Sequence, residues 1–210
     1  MVAMTIPIPD GEHVPTADQR VVMYGMSWEA YEALLELRGD RSRPRMAYLN
    51  GALELMTTTE HHERITRVIR ALTDSYMLEI GMDFSAYGEW TMKKRGPDEE
   101  AAGIEADDCY RLGLDQTEGR WPDLAIEVVW TSGGIDKLEA YRRIGVHEVW
   151  FWKAGQIAIY VLTGGKYERR DHSEVIPGID LALVARFVDE PVLSKAIREY
   201  REALRAARTT

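Results

Sequence analysis

The chain has 210 residues, of which 45% are apolar, and a formal net charge of −9. This length and apolar content suffice for a folded domain with a real core and exclude global disorder, and the single cysteine, Cys109, excludes an intramolecular disulfide and a cysteine-based zinc site. The acidic balance argues against a general electrostatic grip on nucleic acid, although the basic runs at 41–45 and 93–95 could line a local groove instead of being solvated surface.

The sequence contains no signal-peptide pattern, and none of its segments approaches the roughly 20 apolar residues that a membrane span needs. We therefore expect a cytoplasmic protein that does not enter a membrane.

An arm, a helix and a hairpin are predicted in the first quarter of the chain. Residues 1–22 contain prolines and a glycine and lack periodicity, which predicts an extended arm. Ser27 precedes the run 28–37 and is suited to cap a short helix. Asn50-Gly51 lies between two alternating runs within 45–56, and this dipeptide predicts a type I′ turn in a hairpin.

A long helix is predicted next. Apolar residues recur at helical spacing from Ile65 to Ile80, with Thr58 or Thr59 before them as a cap and Gly81 at the end. Two strands and a polar loop are then expected, at 83–87, 89–93 and 94–103.

The C-terminal half alternates helices and strands. A helix is predicted over 135–144 and closed by Gly145, and three strands follow at 146–153, 156–162 and 166–170. The charged tail 191–207 is predicted to be a helix with one apolar stripe. We therefore predict an α/β fold of the mixed α+β kind, with a mixed sheet, in which residues 23–210 form a single domain with a core at about 45–165.

Two predicted strands of this domain carry acidic residues. Side chains alternate along a strand, so the acids of each strand share a face with residues two positions away: Glu105, Asp107 and Cys109 in the first strand, and Asp123, Ala125 and Glu127 in the second. Leu124, Ile126 and Val128 point the other way, into the core. Acids in an otherwise apolar strand are a local conflict of the kind that is expected at functional sites.

Asp107 and Glu127 can bracket one divalent cation if the two strands are neighbours. Hard carboxylate oxygens suit Mg²⁺ or Mn²⁺, and such an ion neutralises charge that develops on a phosphate. Lys137, at the head of the next predicted helix, could hold or activate the attacking water. The structural alternative makes Asp123 an exposed turn residue and pairs Glu127 with Lys137 or an arginine.

Four motifs, in this order along the chain, resemble the Uma-type family of small bacterial restriction endonucleases, part of the PD-(D/E)xK restriction-endonuclease-like superfamily. The motifs are NGALELM at 50–56 followed by His62-Glu63, EADDCY at 105–110, PDLAIEV at 122–128 and KLEAYRRIGVHEVW at 137–150. The resemblance implies a restriction-endonuclease-like mixed β-sheet flanked by helices, with an N-terminal helix-hairpin extension and a C-terminal helix.

The same resemblance implies roles for particular residues. Asp107 takes the place of the superfamily's first acid and Glu127 that of the second, with Asp123 as a possible further metal ligand. The lysine that is expected two residues after Glu127 is replaced by Val129, and Lys137 on the following helix is its substitute. Glu63 is a possible third acid from the long helix, and His62 is either an auxiliary residue or a capping or surface residue.

The leading hypothesis is therefore an endonuclease that depends on Mg²⁺ or Mn²⁺, with DNA as the expected substrate. A catalytically inactive module of the same fold, which binds nucleic acid or protein, is the alternative, and the acidic charge and the displaced lysine favour it. A third hypothesis is an assembly protein, a homodimer in which the apolar stripe of the C-terminal helix pairs two chains.

Overall fold

The computed structural model describes residues 18–96, 100–129 and 134–208. Within these residues the chain forms eleven strands, which are divided between two sheets, and five helices. The mixed α+β class that the sequence predicts is confirmed, and the strands expected in one sheet belong to two.

The first sheet has five antiparallel strands and is built largely from the N-terminal part of the chain. Its strands are β1 (Gln19–Met23), β2 (Arg45–Leu49), β3 (Ala52–Thr57), β5 (Thr91–Arg95) and β6 (Ala101–Glu105), in the spatial order β1-β3-β2-β6-β5. The predicted hairpin is β2–β3, and Asn50 and Gly51 in its turn have φ of 49° and 81°, as a type I′ turn requires.

The second sheet has six strands and is mixed. Its strands are β4 (Phe84–Ala86), β7 (Asp108–Leu112), β8 (Leu124–Val128), β9 (Glu148–Lys153), β10 (Gln156–Thr163) and β11 (Lys166–Arg170), in the order β11-β10-β9-β8-β7-β4. The β8–β9 pair is parallel and the other pairs are antiparallel. A parallel pair needs a crossover between its strands, and the third helix of the chain provides it.

The five helices are α1 (Trp28–Arg38), α2 (Glu60–Glu79), α3 (Lys137–Ile144), α4 (Leu181–Val188) and α5 (Leu193–Arg208). Helices α2, α4 and α5 cover one face of the six-stranded sheet, where Leu124, Ile126 and Val128 join them in one apolar core, as predicted. Helix α3 packs between the two sheets, against apolar side chains of β5, β6 and β8. Helix α1 covers the outer face of the first sheet, and Gly103 lets the ring of Tyr31 lie directly on β6.

Side-chain caps fix where the helices begin. Ser27 Oγ accepts a hydrogen bond from Ala30 N at 3.1 Å, and Thr59 Oγ1 accepts one from His62 N at 3.3 Å, which confirms both predicted caps. Helix α3 begins at Lys137 and not at Ile135, because Asp136 Oδ1 accepts from Glu139 N at 3.0 Å and so caps the helix there.

Three predicted segments differ from the structure. The strand expected to carry Glu105 and Asp107 together is two strands, because the chain leaves the first sheet after Glu105 and joins the second at Asp108. The predicted loop 94–103 contains the start of β6, whose small side chains pack under α3. Residues 19–22 of the predicted arm belong to β1, which pairs with β3, and residues 1–17 lie outside the described residues.

Most of the apolar stripe of the C-terminal helix lies inside the molecule. Ala196, Tyr200 and Leu204 of α5 are buried against α2 and α4. Val192 and Leu193, at the beginning of the same stripe, are exposed. Among the described residues, no helix is long and apolar enough to cross a membrane.

Candidate active site

The two predicted acids lie next to each other where the two sheets meet. Asp108 is paired with Ile126 in the antiparallel β7–β8 ladder, so one further step along the chain places Asp107 beside Glu127. Asp107 Oδ2 accepts a hydrogen bond from Val128 N at 2.6 Å, which fixes the carboxylate at the end of β8. Both side chains are fully buried. The structure places the two predicted acids side by side, although the strand carrying Asp107 was predicted to continue from Glu105.

Asp107 is surrounded by positively charged or protonatable groups. Its Oδ1 is in contact with Nη1 of Arg45, and its Oδ2 lies 2.9 Å from Nε2 of His62. Neither contact has hydrogen-bond geometry. Among the described residues, Asp107 Oδ1, Arg45 Nη1 and His62 Nε2 are therefore buried polar atoms without a hydrogen bond. Such atoms are uncommon in folded proteins and often mark a bound ion or a functional role.

Arg45 connects Asp107 to acids at the surface. Its Nη2 donates to Glu89 Oε1 at 2.6 Å and to Glu63 Oε1 at 3.3 Å, and only 3% of its side chain is exposed. Burial raises the pKa of Glu63, but hydrogen bonds from Thr58 and Arg43 outweigh it and leave that pKa lowered. Arg45 belongs to a run that sequence reasoning assigned to a surface or a basic groove. Nothing in the run distinguishes Arg45 from the other arginines.

Glu127 is held by two residues of α3. Lys137 Nζ donates to its Oε2 at 2.5 Å, and the hydroxyl of Tyr141, one helical turn further on, donates to its Oε1. Burial, followed by the charge of Glu127, raises the pKa of Tyr141 well above its usual value, so its hydroxyl stays protonated and donates. Tyr141, predicted to pack in the core, is buried there and also orients the second acid.

His62 is buried in the first turn of α2 and is bound by a residue that sequence reasoning missed. Asp18 Oδ2 lies 2.7 Å from His62 Nδ1, and Asp18 Oδ1 accepts from Thr59 N at 2.9 Å. Burial raises the pKa of Asp18, but the hydrogen bonds from His62 and Thr59 outweigh it and leave the pKa lowered. Asp18 was part of the predicted arm, which has no periodicity that could have indicated its position.

Two other acids of the predicted site have structural partners elsewhere. Asp123 precedes β8, where it accepts a hydrogen bond from Leu112 N at 2.8 Å and is paired with Arg120. It lies four positions along the chain from Glu127, about 13 Å at the rise of a β-strand, so it is not brought together with the pair. Glu105 forms two hydrogen bonds of 2.6 Å with Arg38 and accepts from Met46 N.

One cleft reaches Asp107 and a second reaches Lys137. One, of about 560 Å³, is lined by three arginines, Arg45, Arg67 and Arg70, and by five acids, two of which are Asp107 and Asp108. The other, of about 540 Å³, is lined by Lys137 and by apolar residues that include Phe151 and Tyr160. A larger cleft, of about 930 Å³, lies beside β10 and α4, away from all the predicted site residues. The buried Glu127 lines neither of the two smaller clefts.

The residues at the site provide the donors that a hard divalent cation uses, but they do not form a complete cage. Within the described parts of the chain, no group of three or more His, Cys, Asp or Glu side chains is arranged to hold a metal ion. Asp107 has a buried oxygen without a hydrogen bond, and His62 has a nitrogen in the same state beside it. Mg²⁺ often binds through one or two carboxylates together with waters and substrate phosphate, and these residues fit a site of that kind.

A comparison with protein-family models agrees with the resemblance seen in the sequence. The model of the Uma2 family, described as "Putative restriction endonuclease", matches residues 28–185, so the chain belongs to this family. The chain is similar to the crystal structure of "a putative nuclease belonging to DUF820" from Anabaena variabilis ATCC 29413, with 12% identity and a TM-score of 0.45, over 79% of this chain and 96% of that one. No curated protein matches the chain.

Proposed function

We propose that this protein is a metal-dependent endonuclease that hydrolyses phosphodiester bonds of DNA. One arrangement carries the proposal, namely two buried carboxylates, Asp107 and Glu127, on neighbouring strands with the ammonium group of Lys137 at the second. Burying acids in an otherwise apolar β-sheet is costly. A catalytic role of Asp107 and Glu127 explains why two acids are buried there.

Asp107 would hold Mg²⁺ or Mn²⁺, with Glu127 beside it. When bound, such an ion lowers the pKa of a coordinated water and neutralises charge on the phosphate. Arg45 is in contact with Asp107 through Nη1 but is hydrogen-bonded to Glu63 and Glu89 through Nη2. Its guanidinium can therefore leave Asp107 and stay bound to the surface acids.

The other residues of the site orient the reacting groups. Tyr141 fixes one oxygen of Glu127, so the other oxygen faces Lys137 in a defined position. Lys137 Nζ carries three donors, of which one is used on Glu127. The remaining two can bind an attacking water or a phosphate oxygen at the wall of the cleft that Lys137 lines.

The nucleic acid would lie along the cleft beside Asp107. Arg45, Arg67 and Arg70 line that cleft and would contact phosphates. A bound cation would have to offset the five acids that line the same cleft, Glu63, Asp74, Glu89, Asp107 and Asp108. Three or so phosphate contacts give modest affinity that decreases steeply with salt. Binding and cleavage should therefore be measured at several salt concentrations.

A catalytically inactive module of the same fold is a second candidate. The observation in its favour is that both acids are already bound by groups of the chain itself: Arg45 and His62 at Asp107, and Lys137 and Tyr141 at Glu127. In such a module these contacts would be permanent and would serve only stability. Metal binding by the wild-type protein separates the two candidates.

Cleavage of a plasmid in the presence of Mn²⁺ tests the proposal most directly. Glu127→Gln keeps the size of the side chain and its hydrogen-bonding capacity but removes the charge, and we expect it to abolish cleavage while the fold survives. Glu139→Gln on the same helix as Lys137 is a matched control, since the Glu139 carboxylate pairs with Arg142 and Arg143 and not with the acids of the site, and it should cleave normally. Full activity in Glu127→Gln would refute the assignment.

We also propose that the protein is a homodimer, as the sequence predicts, although the full apolar stripe of α5 cannot form the contact between the two chains. Because Ala196, Tyr200 and Leu204 of α5 are buried within the chain, a dimer contact there would be limited to the exposed start of the stripe, Val192 and Leu193, or would use another surface. Light scattering at working concentrations gives the oligomeric state directly, and a monomer there would contradict a homodimer.

A further inference from the structure

His62 has the environment that proteins give to a metal-binding histidine. Its side chain is fully buried, although it belongs to the first turn of α2 and is followed by a partly exposed glutamate. One ring nitrogen, Nδ1, is bound to the carboxylate of Asp18 at 2.7 Å. The other, Nε2, has no hydrogen bond among the described residues and lies 2.9 Å from Asp107 Oδ2.

The contact with Asp18 fixes the direction of the imidazole. Asp18 is itself held in place, since its other oxygen accepts from Thr59 N at the N-terminus of α2. When Nδ1 carries the proton and donates it to Asp18, Nε2 keeps its lone pair. Histidines that bind metals almost always donate their second ring nitrogen to a carboxylate, a carbonyl or a water in this way, and the partner raises the basicity of the ligand.

We propose that Nε2 of His62 is a ligand of the divalent cation, together with the carboxylate of Asp107, and that Asp18 is the residue that positions His62. This inference rests on the proposed metal-dependent function and assigns a nitrogen donor to its metal site. His62 and Asp107 lie on different elements, α2 and the β6–β7 junction, which meet at this point. The ion would replace the direct contact between Nε2 and Oδ2.

An imidazole ligand changes which ion the site prefers. Mg²⁺ is bound almost entirely through oxygen, whereas imidazole nitrogen suits first-row transition metals. A site of one carboxylate and one imidazole, completed by waters and phosphate, should therefore bind Mn²⁺ more tightly than Mg²⁺. Loss of His62 should reduce the affinity for Mn²⁺ more than the affinity for Mg²⁺.

The segment that leads into the N-terminal strand β1 is then part of the metal site. Asp18 directly precedes β1, and β1 pairs with β3 on the first sheet. The position of His62, and through it the metal site, then depends on a residue that is 44 positions away along the chain. Asp18→Asn should reduce the Mn²⁺ affinity by about 10- to 100-fold, the usual effect of removing the carboxylate behind a histidine ligand.

Pulsed electron paramagnetic resonance of bound Mn²⁺ tests the ligand directly, because a coordinated imidazole gives a nitrogen coupling. We expect that coupling in the wild-type full-length protein and in His61→Asn, the same change one residue away at an exposed position. We expect it to be absent in His62→Asn, whose amide can still donate to Asp18 from the position of Nδ1. Calorimetric titrations with Mn²⁺ and Mg²⁺ should show at least a tenfold loss for Mn²⁺ in that variant.

Each outcome decides between the claims. If wild-type protein binds Mn²⁺ without a nitrogen coupling, or if the coupling persists in His62→Asn, the ligand assignment is wrong and the proposed metal-dependent function stands. If wild-type protein binds neither ion, both the ligand assignment and the proposed metal-dependent function are wrong. If His62→Asn does not fold, wild-type protein labelled with ¹⁵N-histidine is used in its place. A nitrogen coupling that comes from a histidine ligand then changes to the coupling of ¹⁵N. A coupling that comes from a backbone nitrogen or from the solvent does not change.

Discussion

Lys137 Nζ lies 2.5 Å from Glu127 Oε2, and the lysine is on helix α3 while the glutamate is on strand β8. The structural interpretation of the sequence, a simple ion pair, and the catalytic interpretation, a displaced lysine, both predict this contact. Substitution can separate them, because stability depends on the charge balance of the pair and cleavage depends on the groups themselves.

Lys137→Met should destabilise the protein and abolish cleavage. The change leaves the carboxylate of Glu127 buried without its cation, which costs on the order of 3–5 kcal/mol in the free energy of unfolding. Removing a group that binds the water or phosphate lowers the cleavage rate by roughly 10²-fold or more. Urea denaturation and a plasmid assay measure the two effects.

The double variant Lys137→Met/Glu127→Gln should recover much of the lost stability, because the buried charge is gone, and should remain inactive. Lys153→Met is the matched control, as Lys153 lines the same cleft as Lys137. It should have little effect on either measurement. A Lys137→Met protein that cleaves at the wild-type rate would show that the contact is structural only.

Arg45→Met should make the protein more responsive to metal. Arg45 is the cation in contact with Asp107 Oδ1, so its removal leaves a buried carboxylate that a divalent cation can neutralise without competition. The melting temperature without metal should decrease, and the increase on adding Mn²⁺ should be larger than in wild type, since an ion that binds only the folded state stabilises it. Thermal denaturation with and without Mn²⁺ measures both.

Arg43→Met provides the comparison for this variant. Arg43 shares Glu63 with Arg45, but it is Arg45 that contacts Asp107, and 39% of the Arg43 side chain is exposed. Its metal-induced shift should equal that of wild type. Equal shifts in all three proteins would mean that Arg45 does not compete with the ion.

Asp123→Ala should leave metal binding unchanged. The resemblance to the family makes Asp123 a possible metal ligand, but its carboxylate accepts from Leu112 N and pairs with Arg120 at the beginning of β8. Loss of the acceptor should cost about 1–2 kcal/mol in the free energy of unfolding. A tenfold loss of Mn²⁺ affinity by calorimetry would instead place Asp123 at the site.

Local signals in the sequence were sufficient for most elements of the fold. Asn50-Gly51 identified the hairpin, Ser27 and Thr59 identified helix starts, and alternation identified β8. Each is a property of a few adjacent residues, so it can be recognised without knowing the tertiary structure. The break between β6 and β7 could not be recognised, because the residues around it are compatible with one continuous strand and only pairing with two different sheets divides them.

The candidate site was predictable to the extent that its residues lie in motifs. Asp107, Glu127 and Lys137 follow from acids on strands and a lysine at a helix start, and the structure places them together. Asp18 and Arg45 come from distant segments, an aperiodic arm and a basic run, and reach Asp107 or His62 only through the packing of β1 and β2. Contacts of this kind depend on the sheet order, which no local pattern encodes.

Glu139→Gln should weaken the pH dependence of stability at acid pH. Hydrogen bonds from Arg142 and then Arg143 lower the pKa of Glu139 to about 2, from a usual value of 4.5. A depressed pKa stabilises the folded state above the unfolded-state pKa, and this contribution is lost as pH falls from about 4.5 to about 2. Because the group faces solvent, it amounts to at most about 1 kcal/mol.

Arg143, which pairs with Glu139, also connects helix α3 to the β2–β3 hairpin. It also donates to Asn50 Oδ1 at 2.5 Å, so it ties α3, which carries Lys137, to the turn of the hairpin. The difference in the free energy of unfolding between wild type and Glu139→Gln, from urea denaturation, should be constant above about pH 5 and shrink towards zero as the pH is lowered. Glu118→Gln, in an exposed turn, controls for the loss of one negative charge. A difference that does not change with pH would show that the two arginines do not stabilise the carboxylate form of Glu139.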